Sequence, residues 1–101
     1  MQRRATILVV DDDRSVRQAL EINLSKAGFD VRLAHDGDQA IDSLHEAPAD
    51  VVLTDLMMPG MTGLELLEQV RQRWPDTQVV MMTGHGTVER AVEAMRMGAH
   101  D

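Results

Sequence analysis

The stretch Ile7–Asp13, ILVVDDD, sets four uninterrupted apolar residues directly before three carboxylates. A short apolar run of this kind is the pattern of a strand covered on both faces. Ionised carboxylates crowded together repel, which raises the pKa of at least one of them unless a cation is present. The stretch therefore predicts a buried strand that delivers its acids to a cation-binding edge.

Two more runs repeat the arrangement. VVLT at 51–54 ends in Asp55, and QVVMM at 78–82 ends against Thr83. DVRLA at 30–34 alternates instead, as a strand nearer a sheet edge does. Between the runs the period becomes helical. Val16, Leu20, Leu24 and Ala27 share a face, with Gly28 as a left-handed stop. Asp36 is a cap with Gln39 three residues on, ahead of a stripe of Ala40, Ile41 and Leu44. Leu64, Leu67, Val70 and Trp74 are expected on the buried side of the next helix, which Pro75 closes. Val88, Ala91, Val92 and Met95 mark a fourth helix ending at Gly98.

Four strands and four helices alternate without an internal repeat, which calls for an α/β fold with a parallel sheet and helices on both sides. The expectation is a flavodoxin-like doubly wound parallel sheet of strand order 2-1-3-4-5, an order that periodicity alone does not choose. Ligands of such sheets bind beyond the carboxyl ends of the strands. Asp11 and Asp12 end the first strand, Asp55 the third and Thr83 borders the fourth, so one sheet edge would collect them all.

Bulk properties narrow the chemistry. One domain spanning residues 1–101 is expected, because the chain suffices for a single core and not for two. With no cysteine, disulfides and thiolate metal sites are excluded. A net charge of -7, with Phe29 and Trp74 the only aromatics, argues against direct nucleic-acid binding by this segment. MQRRATILVV is too short in its apolar part for a signal peptide or a membrane span, so the expected location is the cytoplasm, with no membrane partner.

A hard cation such as Mg2+ takes oxygen ligands in an octahedron and keeps several waters. Two carboxylates and a backbone carbonyl would leave room for a phosphoryl oxygen. Phosphoryl transfer to an aspartate nucleophile is chemistry such a site can support, with the Thr83 hydroxyl donating to a phosphoryl oxygen.

VVDDD at 9–13, VVLTDLMMPGMTGLELL at 51–67 and VVMMTGHG at 79–86, in this order, resemble the receiver domain of bacterial two-component response regulators over essentially the whole chain. The resemblance implies that Asp55 accepts a phosphoryl group from a sensor histidine kinase. It implies Asp12 as a direct Mg2+ ligand, Asp11 as an acid holding the metal through water, and Met57 as the donor of a backbone carbonyl. Thr83 matches the switch hydroxyl, with Gly84 and His85 beside it. Pro59, Gly60 and Gly63 match the stiff loop after the acceptor. A fifth strand ending in a lysine, an aromatic switch partner and a last helix are also implied, all missing from these 101 residues.

DLMMPGMTGLELL with MMTGHGTVERAVEAMRMGAHD is similar to receivers of nitrogen-regulation-type enhancer-binding transcription activators, which continue into an ATPase and a helix-turn-helix DNA-binding domain. The implied function is a phospho-acceptor switch that assists its own phosphorylation and dephosphorylation, rather than an enzyme with an external substrate. Its partners would be the kinase, its own output domains and a second receiver in a homodimer.

Other readings compete. Acids also cap helices, and Asp13 alone is assigned that role. Asp55 could be a turn residue and Thr83 an ordinary loop residue. The histidines show no paired ligand spacing. Met81, Met82 and Met95 are expected in the core, whereas Met57, Met58 and Met61 could form an adaptable apolar surface by the acceptor. A Mg2+-dependent phosphohydrolase with an aspartate nucleophile is the rival function. It needs a general acid two residues past the nucleophile, where this chain has Met57.

Overall fold

The computed structural model describes residues 4–82, and in them strands and helices alternate strictly. The strands are β1 (Thr6–Val10), β2 (Asp30–Ala34), β3 (Val51–Asp55) and β4 (Gln78–Met82). The helices are α1 (Arg14–Lys26), α2 (Gly37–Glu46) and α3 (Gly63–Arg73). All strands pair in parallel in the order β2-β1-β3-β4, the first four places of the expected order. Thr83, Gly84, His85 and the expected fourth helix with Met95 lie outside the described residues.

Each apolar side chain of β1 and β3 goes to one of two cores, as the two-residue period of a strand requires. Leu8, Val10 and Val52 pack with Ala40 and Leu44 of α2 and with Leu66 and Val70 of α3. Ile7, Val9 and Leu53 pack with Leu20 and Leu24 of α1. Helices thus cover both sheet faces, which is why these strands are unbroken apolar runs. The alternating strand β2 lies at the edge, and its residues are mostly half-buried or exposed.

Caps set the helix starts. The Asp13 side chain accepts from the Ser15 and Val16 backbone N–H groups, satisfying donors that the first turn of a helix leaves open. Asp36 accepts from Gln39 N–H, while the Gln39 side chain takes the N–H of His35. Thr62 and Glu65 form a complete capping box at α3. After α1 the chain turns at Gly28, whose φ of 100° is strained for any residue with a Cβ.

Two expectations need correction. The buried side of α3 carries Leu66 and Val70, four residues apart, with Leu67 and Trp74 partly buried and Leu64 58% exposed. The register follows from the cap: with the helix starting at Gly63, its first turn brings Gly63 and Leu66 onto the sheet and leaves Leu64 outward. Met58 belongs to the core and Met61 packs against it, so only Met57 of the three loop methionines is an exposed apolar group. Met81 and Met82 are half-buried.

Leu66→Ala should lower unfolding free energy by about 2–5 kcal/mol, as large-to-small core changes do. Leu64→Ala should stay within about 0.5 kcal/mol of the parent. Urea unfolding followed by circular dichroism distinguishes this assignment from one that buries Leu64.

Candidate functional site

β1 pairs with β3 from Ile7 beside Val51 to Val10 beside Thr54. One residue further, Asp11 and Asp55 leave the adjacent strands at the same level. Carboxylate oxygens of Asp11, Asp12 and Asp55 all lie within 4.8 Å of one another. Asp11 is buried, Asp12 exposed and Asp55 half-buried, so the cluster opens to solvent on one side. Acids far apart in sequence thus converge where the sheet order requires.

The backbone holds this cluster. The Asp11 N–H donates to the Ala34 carbonyl at the end of β2, at 3.2 Å. Its Oδ1 accepts from the Asp13 N–H at 2.8 Å, and Arg17 of α1 donates to its carbonyl at 2.8 Å. Burial, opposed by the Asp13 N–H, raises the Asp11 pKa above the usual carboxylate value, and the nearby charges of Asp55, Asp12 and Asp13 raise it further. On Asp55, Oδ1 accepts from the Met57 N–H at 3.3 Å. The Met57 side chain is 70% exposed, so that residue serves the site through its backbone alone.

A hard divalent cation fits this donor set, which is all oxygen and carries an excess of negative charge at close range. Asp11, Asp12 and Asp55 would hold it. Thr83 lies outside the described residues.

Gly63 proves to be more than part of the loop. A Cβ there would run into the Asp55 carbonyl oxygen and meet the Leu56 Cα at 3.0 Å and the Met81 sulfur at 3.1 Å. The Gly63 N–H donates to the Leu56 carbonyl at 2.9 Å. Helix α3 therefore begins in direct contact with the main chain of Asp55, an approach only glycine permits. Three positioning residues, Thr62, Glu65 and Arg17, were not picked out from the sequence. The Thr62–Glu65 capping box carries a readable Thr-x-x-Glu signal, whereas nothing in the residue pattern marks Arg17.

The match to known proteins follows the same geometry. Residues 7–101 match the family model described as the response regulator receiver domain. The chain belongs to the response regulator receiver domain family. It is 41% identical over 99 residues to the DNA-binding transcriptional regulator NtrC of Klebsiella pneumoniae, covering 98% of this chain and 21% of that protein. The structure of NtrX from Brucella abortus in complex with ADP superposes with a TM-score of 0.79 at 38% identity, over 98% of this chain and 23% of that one. The chemotaxis protein CheY4 of Vibrio cholerae gives a TM-score of 0.79 at 35% identity, over 96% of this chain and 82% of that one. The chain thus spans about a fifth of the length of the transcriptional regulator that it matches.

Because folding raises the Asp11 pKa, the folded receiver domain binds that proton more tightly than the unfolded chain. The stability contributed by Asp11 is present below the usual carboxylate range and is lost as pH rises through the folded pKa. Asp11→Asn should therefore flatten this part of the metal-free pH profile. At neutral pH it should raise the metal-free melting midpoint, by about 4–8 °C for each kcal/mol of repulsion relieved. The same variant should gain less from added Mg2+ than the parent does, since ligand-linked stabilisation scales with affinity. Thermal melts with and without Mg2+ provide both readings.

Proposed function

We propose that this receiver domain accepts a phosphoryl group on Asp55 from a sensor histidine kinase in a Mg2+-dependent reaction and so switches an output domain. The observation that carries the reading is the convergence of Asp11, Asp12 and Asp55 within 4.8 Å at one strand-end edge. Asp55 is half-buried, with an oxygen steered by the Met57 N–H, so its carboxylate is both oriented and reachable.

The chemistry balances simply. A carboxylate oxygen of Asp55 attacks the phosphorus of a phosphohistidine. A P–O bond forms, the P–N bond breaks, and the imidazole leaves with the bonding pair and takes up a proton. Asp11, Asp12, Asp55 and the Met57 carbonyl would hold Mg2+, whose charge would stabilise the phosphoryl oxygens during transfer. Asp11 and Asp12 bring the site's negative charge, and the Met57 N–H holds Asp55 in line. Thr83, next in the chain after β4, supplies the switch hydroxyl. By the same groups the domain assists its own phosphorylation and dephosphorylation.

The output is proposed to be a transcription activator with ATPase and helix-turn-helix domains. The similarity to NtrC supports it, and a receiver homodimer is part of the same proposal. Among the described residues no helix is long and apolar enough to cross a membrane, which accords with a cytoplasmic signalling role. The phosphohydrolase reading is disfavoured, because the thioether of Met57 cannot act as a general acid.

Incubation of the full-length protein with Mg2+ and acetyl phosphate should produce an alkali-labile, hydroxylamine-labile phosphoryl adduct by mass spectrometry. Asp55→Asn should abolish it while leaving the circular dichroism spectrum unchanged. Undiminished incorporation in Asp55→Asn would place the acceptor elsewhere and refute the proposal.

A further inference from the structure

The loop at residues 56–62 links the acceptor strand to α3 and carries Met57. Its base is closed by the Gly63 N–H bond to Leu56, and Met58 is buried in the α2–α3 core. Past Met58 the loop turns at Gly60, with φ of 79°, and brings Met61 against the first residue of α2. A Cβ added to Gly37 would lie 2.6 Å from the Met61 sulfur, 2.8 Å from its Cβ and 3.0 Å from its Cγ.

Gly37 does not have the positive φ that demands glycine. At a helix start alanine would lose less conformational entropy than glycine. What calls for glycine there is the approach of Met61. The sulfur of a methionine can swing aside, but its Cβ moves only with the main chain, so an added methyl would displace the loop itself. The helix side is the less free to yield: Ala40 and Leu44 hold α2 in the core, and its first turn is fixed locally by Asp36 accepting from Gln39 N–H at 2.8 Å and His35 N–H donating to the Gln39 side chain at 2.7 Å.

We infer that Gly37 and Met61 form a positioning latch: Met61, seated on the bare backbone of Gly37, holds the far side of the acceptor loop and thereby sets where Met57 presents its N–H to Asp55. The inference rests on the proposed role of Asp55. It assigns to the start of α2, which contributes no group to the acidic cluster, a share in the geometry of phosphoryl transfer. Gly37 and Met61 are positioning residues because they act through Met57. Small displacements suffice, since misplacing reacting groups by about 1 Å can cost about 100-fold in rate.

The test is a double-mutant cycle on the full-length protein, read as the rate of Asp55 labelling by acetyl phosphate at saturating Mg2+, with melting midpoints measured alongside. Gly37→Ala should slow labelling by about tenfold or more without a matching loss of stability. Met61→Gly, which removes the seated side chain without adding atoms, should also slow labelling and covers the case in which Gly37→Ala fails to fold. The double variant should label no more slowly than Met61→Gly alone, because the methyl added at position 37 then has no side chain left to strike.

Single variants that label at the parent rate, or losses that multiply in the double variant, would overturn the latch. Failure of the parent protein to label, or labelling of Asp55→Asn, would instead overturn the proposed function.

Discussion

Like charge held at short range is the constraint on which this structure turns. Three carboxylates within 4.8 Å repel, and nothing in their own chemistry keeps them together. The parallel pairing of β1 with β3 does so, and both strands are fixed by residues with no exposure: Ile7, Leu8, Val9 and Val10 on one, Val52 and Leu53 on the other. Burial of such side chains contributes roughly 1.5–3 kcal/mol each, enough in sum to hold an unfavourable edge in place. Such a fold holds electrostatic repulsion at its strand ends, which a bound cation would relieve.

That explains why the backbone around the acids is so closely determined. Asp11 is held through its N–H, its carbonyl and a side-chain oxygen by partners from β2, α1 and the turn before α1. Asp55 is held on its main-chain side by Gly63 and on its side chain by the Met57 N–H. Carboxylates that repel one another at this range need a frame that does not relax to part them. Close glycine contacts provide one, because a backbone in van der Waals contact with another backbone has no rotamer to give way.

Much of this was legible in the residue pattern, for a physical reason. Strands covered on both faces must be apolar throughout, so ILVV, VVLT and QVVMM declared themselves, and the acids after the first two pointed to the edge where Asp11, Asp12 and Asp55 converge. Asp13 and Asp36 were readable as caps because capping chemistry is local. The details that escaped are those set by three-dimensional approach. Leu64 and Leu66 are equally apolar, and only the start of α3 at the Thr62–Glu65 box decides which faces the sheet. Met57, Met58 and Met61 look alike as a loop, yet one is exposed and two are packed. A glycine at a helix start looks like weak propensity until its neighbour is seen to be Met61.

The same frame constrains how a phosphoryl group could be felt elsewhere. An acyl phosphate at Asp55 would add charge and acceptor oxygens at the strand ends. The sheet beneath cannot answer by deforming, since its central side chains are fully buried and close-packed, and such cores resist small strains. Whatever moves must lie above the strand ends, in the loops that start there, and the energy to move it must come from contacts that differ between the two states. The loop after β3 is fastened at Gly63, Met58 and Met61, which leaves little freedom on that side. The chain that leaves β4 starts next to it, because Met82 is the register partner of Asp55 and accepts the Leu56 N–H at its carbonyl. A stiff acceptor loop thus leaves the end of β4, paired with Asp55 through Met82, as the nearer place for a response to begin.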